Sequence, residues 1–200
     1  MGFIILWIFI NKKRGKNIIM KKSLLSTKTI VATGIGAALF LVLFMLVKIP
    51  SPVPETNVQI AYGVSTFFGA LFGPICGGLV AFIGHALNDY ITYGSPWWSW
   101  IIASGIAGIF AGLAYFKCDL ENGKLPGVWF YVFNIVGHAL AWLIVAPGLD
   151  ILMYNEPTSL VSAQGIAAFI INAIASLVVG TILSIAYAKT RTSKGSLDKE

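Results

Sequence analysis

Three groups of residues have the types and spacing to do chemistry. His85, Asn88 and Asp89 stand at i, i+3 and i+4 in the stretch Gly84-His85-Ala86-Leu87-Asn88-Asp89-Tyr90, so a helix puts them on one face. An ionisable side chain in or at the edge of a membrane span is costly to bury and points to function. The plainer alternative is a helix-end aspartate wetted by the interface, with His85 bonded to a nearby carbonyl. Asn134, His138 and Trp142 follow at i, i+4 and i+8, and Gln164, Ala168, Asn172 and Ser176 repeat the four-residue spacing further on. Two polar stripes on otherwise apolar helices cannot face lipid cheaply. They predict either a central polar cavity or a buried interhelical network, the latter worth below about 1–2 kcal/mol per contact.

The third group is aromatic, Tyr90-Ile91-Thr92-Tyr93-Gly94-Ser95-Pro96-Trp97-Trp98-Ser99-Trp100. Trp and Tyr gather at membrane interfaces as belts, which suits Trp98. Trp97, Trp100 and Ser104 share a helical face and are predicted to wall a pocket, where flat rings can stack on a planar ligand. Asn57, Tyr93 and Asn155, in or beside the connections on the same side, are further candidates for ligand contact.

The elements that must position these residues are membrane helices. Apolar residues make up 57% of the 200-residue chain and charged residues only 11%, against about 25% charged in soluble domains. Several apolar runs approach the roughly 20 residues that cross a bilayer as a helix, and period-two alternation is absent, which argues against a β-barrel. The predicted fold is an all-α, six-transmembrane-helix bundle. Its spans are Thr29–Val47, Val58–Phe72, Ile75–Tyr90, Trp97–Phe116, Val128–Ala146 and Ser162–Ala188. The second and third are short and are predicted as tilted pieces of the bundle. Prolines in Ile49-Pro50-Ser51-Pro52-Val53-Pro54 end the first span, and Lys48–Asn57, Ile91–Pro96 and Pro147–Val161 form the longer connections of one side.

Charge assigns the sides. Of 14 Lys and Arg residues, thirteen fall on one side: Lys12, Lys13, Arg14, Lys16, Lys21, Lys22 and Lys28 before the first span, Lys117 and Lys124 after the fourth, and Lys189, Arg191, Lys194 and Lys199 after the sixth. Lys48 alone falls on the other, beside Glu55, Asp89, Asp150 and Glu156. The positive-inside rule then puts both termini in the cytoplasm of a multi-pass cell-membrane protein. The basic residues do not form a face interleaved with exposed aromatics, which argues against nucleic acid. Cys76 and Cys118 fall on the cytoplasmic side and read as two unpaired residues.

Residues 1–19 carry an apolar run too short to span, followed by charges, the reverse of a signal peptide. They are expected to be a non-native or dispensable extension, with Met20 the true start. Residues 20–190 are expected to form the substrate-binding bundle and 191–200 a cytoplasmic polar tail.

No phosphate loop is present, so ATP hydrolysis by this chain is not expected. Neither metal-ligand spacing nor an evident Ser/His/Asp set stands out, and no cofactor is expected. An intramembrane enzyme using His85 and Asp89 or His138, and a membrane scaffold, remain as alternatives. In the first span Ala32/Gly36, Thr33/Ala37 and Gly34/Ala38 are small residues four apart, the pattern that lets helices approach closely. They serve packing within the bundle or docking of a separate subunit, and Ala32, Gly34, Gly36, Ala37 and Ala38 are the docking candidates.

Five stretches carry a resemblance: Thr29–Ala38, Phe72-Gly73-Pro74, Gly84–Asp89, Thr92–Trp100 and Ala146-Pro147-Gly148-Leu149-Asp150-Ile151-Leu152-Met153-Tyr154-Asn155-Glu156-Pro157. Over about Met20 to Glu200 the chain resembles the substrate-binding S components of energy-coupling factor transporters, in a family often labelled riboflavin-type. The resemblance implies a six-helix bundle without ATPase activity of its own, binding one vitamin near its outer face. It implies as partners a transmembrane coupling subunit and two ATPases. It also implies that outer loops form the lid and that the first helix docks through an Ala-x-x-x-Ala pattern, for which this chain has Ala32…Gly36 and Gly34…Ala38. Riboflavin is the first ligand expected; a thiamine precursor and a cobalamin-type compound are the alternatives.

Overall fold

Ser26 starts the described part of the chain. The computed structural model describes residues 26–190, so the expected extension, the tail and the basic residues in them lie outside it. The Ser26 hydroxyl accepts from the Thr29 N–H and caps helix α1, Thr27–Leu46, supplying a partner to one of the free amides of the first turn. A short antiparallel hairpin follows, β1 (Ile49–Pro50) on β2 (Asn57–Val58). Helices α2 (Tyr62–Phe72) and α3 (Pro74–Tyr93) meet at Gly73, whose φ of 106° turns the chain and sets Pro74 in the first turn of α3. Proline is tolerated there because that amide has no helical partner. Helix α4 (Trp98–Gly112) tightens into a 3₁₀ turn, Leu113–Phe116. Helices α5 (Val128–Leu140) and α6 (Ala146–Tyr154) are joined by a π-helical turn, Ala141–Val145, and α7 (Thr158–Thr190) closes the bundle.

Among the described residues four helices are long and apolar enough to cross a membrane: Thr27–Leu46, Trp98–Phe116, Val128–Tyr154 and Thr158–Thr190. The protein is therefore an all-helical membrane protein. Helix α2 has 11 residues, which at 1.5 Å per residue covers about 16 Å, short of the ~30 Å hydrocarbon core. Its span was predicted from Val58, but Val58 pairs with Ile49 in the hairpin.

The largest departure from the sequence reading is at Pro147. The fifth helix was expected to stop at Ala146 and a connection to run from Pro147 to Val161. Instead the helix continues to Tyr154 and the break is only Asn155–Pro157. The π-helical turn explains it: the Ala146 N–H bonds to the Ala141 carbonyl, one residue further back than in an α-helix. That shift resets the ladder just where Pro147 lacks a donor. Helix α7 crosses this point at Gly165, where a Cβ would overlap the Trp142 carbonyl.

The helix faces follow from sequence period. On α7, Ile166, Ile170, Ile174, Val178 and Ile182 are exposed, while Gln164, Ala168, Asn172, Ser176 and Ser184 are buried. On α1 the small residues divide. Ala32, Gly36 and Ala37 face the interior, and a Cβ on Gly36 would press on Val80 and Phe68. Gly34 and Ala38 lie on the outer face among Ile30, Val31, Ile35 and Leu39. At about 100° per residue, two stripes offset by one or two positions point in different directions. Helices α2, α3 and α4 touch backbone to backbone at Gly69, Gly77, Gly108 and Gly112, an approach that only small residues permit.

Candidate ligand-binding site

A cavity of about 440 Å³ opens at the hairpin end of the bundle. Its rim is formed by Lys48, Glu55, Tyr93, Ser95 and Glu156, and its interior by Phe44, Tyr62, Trp100 and Trp142 together with Gln59, His85, Asn88, Asp89, Asp150, Gln164 and Asn172. This is the end opposite Lys28, which pairs with Glu121 at 2.9 Å and so joins the start of α1 to the loop carrying Lys117 and Lys124.

The aromatic wall is held by one carboxylate. Asp150, buried on α6, accepts from Trp97 Nε1 at 2.6 Å, from Trp100 Nε1 at 2.7 Å and from the Ser99 hydroxyl. A carboxylate offers about four acceptor positions, so one side chain fixes three donors of the α4 N-terminus. Trp100 then stacks on Trp142, ring centroids 5.7 Å apart, and Trp97 packs at a tilt of 35° against Tyr154, centroids 4.4 Å apart. Asp89 sets the neighbouring corner. It accepts from the Trp97 backbone N–H at 3.1 Å and from Asn88 Nδ2 at 3.0 Å.

On the other side, Asn172 Oδ1 accepts from the Gln59 backbone N–H at 2.9 Å, and Gln164 Nε2 donates to the Pro54 carbonyl at 3.2 Å. Two residues of the α7 stripe thereby tie the hairpin segment over the cavity. Gln59 lines the cavity, is buried, and its Oε1 has no hydrogen-bond partner. A buried acceptor left in that state costs about 1–3 kcal/mol.

Of the twelve residues expected to bind substrate, the fold brings nine to this cavity: Asn57, His85, Asn88, Asp89, Tyr93, Trp97, Trp100, Trp142 and Asn172. Asn134, His138 and Asn155 do not line it. Asn134 sits deeper and donates to Thr66 and Ser176, which bond each other at 2.8 Å. This is the interhelical network that was the alternative reading of the stripe. His138 lies behind Trp142, and its Nδ1 accepts from the indole at 2.8 Å. Asn155 ends α6 in the left-handed conformation, φ 55°.

Sequence reasoning missed Asp150, Gln59 and Tyr62 as site residues. Asp150 had a signal, an acid within an apolar segment on the aromatic-rich side. Tyr62 and Gln59 had none, because nothing in their local pattern sets them apart.

The fold also joins a Ser, a His and an Asp that the sequence did not reveal as a set. Ser104 Oγ lies 2.7 Å from His85 Nδ1, and His85 Nε2 lies 3.4 Å from Asp89. As arranged here, this set is not poised for nucleophilic attack. The Ser104 hydroxyl is fully buried, donates its proton to the Trp100 carbonyl at 2.9 Å and shares a 2.9 Å bond with the Tyr62 hydroxyl. An activated serine must instead hand that proton to its base. Among the described residues no group of three or more His, Cys, Asp and Glu side chains is placed to hold a metal ion.

Geometry thus defines an all-helical membrane protein with a polar-aromatic cavity at one end. Residues 24–189 match the family model described as ECF-type riboflavin transporter, S component, and the chain belongs to that family. The family is one of transporter subunits, not of enzymes. Two relatives named UPF0397 protein, from Lactiplantibacillus plantarum and Enterococcus faecalis, are each 48% identical to it. The matches run over 178 and 182 residues, covering 88% and 90% of this chain and 96% and 100% of theirs. A third of that name, from Streptococcus gordonii, is 49% identical over 176 residues, 86% of this chain and 94% of its own. No solved structure matches the chain.

Proposed function

We propose that this chain captures a vitamin in the cavity at its outer face and delivers it inward through an ATPase-driven coupling module. The observation that carries the reading is the cavity itself. In a bundle where buried polar groups are costly, Asn57, Gln59, Asn88, Asp89, Gln164 and Asn172 converge on one aromatic-walled space. Its 440 Å³ lies in the lower half of the range of about 300–1,000 Å³ usual for small-molecule sites. That size suits a ligand of a few rings better than a cobalamin-type compound. The family description makes riboflavin the first ligand to test, with a thiamine precursor as the alternative.

Delivery needs partners, a transmembrane coupling subunit and two ATPases. Gly34 and Ala38 on the outer face of α1 are the residues offered to the coupling subunit, since Ala32, Gly36 and Ala37 are already used inside the bundle. The topology that goes with this reading has six crossings, with α5 and α6 counted as one and α2 as a partial crossing. Both termini are cytoplasmic, residues 20–190 are the binding unit, 1–19 are dispensable and 191–200 form the tail. The clustering of Lys28, Lys117, Lys124 and Lys189 away from the cavity supports that orientation.

Native mass spectrometry of the detergent-purified full chain tests the reading. The expected result is a bound small molecule of vitamin size that exchanges with added vitamin. A chain that carries nothing, and binds neither riboflavin nor a thiamine precursor nor a cobalamin, would refute it.

A further inference from the structure

We infer that the ligand of this cavity is a planar, positively charged heterocycle bearing N–H donors. The inference rests on the capture reading above and specifies its substrate class.

Charge is the first ground. Among the residues lining the cavity, Lys48 is the only lysine or arginine, against Glu55, Asp89, Asp150 and Glu156. Lys48 stands at the rim, its ammonium 5.6 Å from the centroid of the Tyr93 ring. The two deep carboxylates are 4% and 2% exposed. Asp150 is surrounded by neutral donors, two indoles and a hydroxyl, which orient its charge without cancelling it. Asp89 has Asn88, the Trp97 amide and His85. Even with His85 counted as the partner of Asp89, three carboxylates still face Lys48. A cleft lined by one sign of charge with apolar walls focuses its potential inward and concentrates counter-charged ligands.

Shape and hydrogen bonding are the second ground. Phe44, Tyr62, Trp100 and Trp142 present ring surfaces to the same space, and aromatic faces attract cations as well as stack on planar rings. Gln59 lines the cavity and its Oε1 is an unpartnered acceptor that a ring amino group can meet. Both carboxylates already accept from Asn88, Trp97, Ser99 and Trp100, so what they offer a ligand is charge, which a delocalised cation complements.

Calorimetry with two probes tests the inference on the full chain in detergent: thiamine, a permanent cation with a ring amino group, and riboflavin, uncharged at neutral pH. Thiamine is expected to bind at least tenfold more tightly and to weaken as salt is raised. The double substitution Glu55→Gln with Glu156→Gln removes charge only at the rim, where Glu55 is exposed and Glu156 half-buried, so the fold is not at risk. It should lower thiamine affinity about three- to tenfold, the scale of two solvent-exposed charge interactions. Tighter binding of riboflavin, or thiamine binding indifferent to salt and to both substitutions, overturns the charge inference and leaves the capture reading standing. Failure of both probes, with no small molecule carried by the purified chain, overturns the inference and the capture reading together.

Discussion

Replacing Asp150 with asparagine tests whether one carboxylate organises the aromatic wall. The wild-type side chain accepts from two indoles and one hydroxyl. Asparagine keeps a single acceptor oxygen with room for two donors, and its NH₂ group faces the third. Leaving one buried donor unpaired costs about 1–3 kcal/mol. The two remaining bonds lose their charge assistance, about 0.5–1 kcal/mol each, since charged hydrogen bonds are roughly twice as strong as neutral ones. The total is about 2–5 kcal/mol. At roughly 2–4 °C per kcal/mol for a chain of this length, melting in detergent should fall by about 4–20 °C. With Trp97 and Trp100 released from their anchor, ligand affinity should fall at least about tenfold, equivalent to 1.4 kcal/mol. Asn134→Ala is the comparison. It breaks the buried Thr66–Ser176–Asn134 network and should also lower melting, but it removes nothing that lines the cavity and should leave affinity within about threefold. Melting by tryptophan fluorescence and affinity by calorimetry, on both variants, separate the two effects. Equal losses of affinity in the two variants would show that binding tracks general stability, and an Asp150→Asn protein with unchanged affinity would refute the anchoring role outright.

Asn172→Ala should weaken binding by about five- to 150-fold, the loss of roughly 1–3 kcal/mol from one polar contact, while Asn122→Ala in the exposed turn at the opposite end should change nothing by calorimetry. Gly34→Leu or Ala38→Leu should block co-purification with the coupling subunit and leave ligand affinity intact, because both point away from the bundle. Gly36→Leu should instead destabilise the protein, since a side chain there meets Val80 and Phe68; docking by the Gly34 and Ala38 variants at wild-type level would remove α1 from the interface. A cysteine at Ser196 should resist a membrane-impermeant thiol reagent in intact cells and react after lysis, and labelling from outside would reverse the orientation and move the cavity to the cytoplasmic face.

Much of this protein is written in local pattern. Apolar length marks the long helices, because a segment in lipid must satisfy its own backbone hydrogen bonds. The four-residue period of Gln164, Ala168, Asn172 and Ser176 marks the buried face of α7 because side chains four apart share a helical side. The cluster around His85, Asp89, Trp97 and Trp100 was legible for the same reason, since those residues are near neighbours in sequence and one turn brings them together.

What local pattern does not contain is depth and partnership. Asn134, His138 and Trp142 form one stripe, yet only Trp142 reaches the cavity, because the other two lie further along the helix, beneath Tyr62 and Trp142, where neighbouring helices close in. Pro147 reads as a helix stop and is not one, because the π-helical turn before it absorbs the missing amide. Asp150 is decisive for the wall although it is 50 and 53 residues from its two tryptophans. Contacts of that range depend on how α4 and α6 pack, and packing is set by the fit of whole surfaces rather than by the spacing of residues along either helix. The sequence alone determined that this chain is a helical membrane protein and which helix faces are polar. Tertiary structure decided which of those polar groups share one space, because burial and hydrogen-bond partners exist only once the helices are assembled.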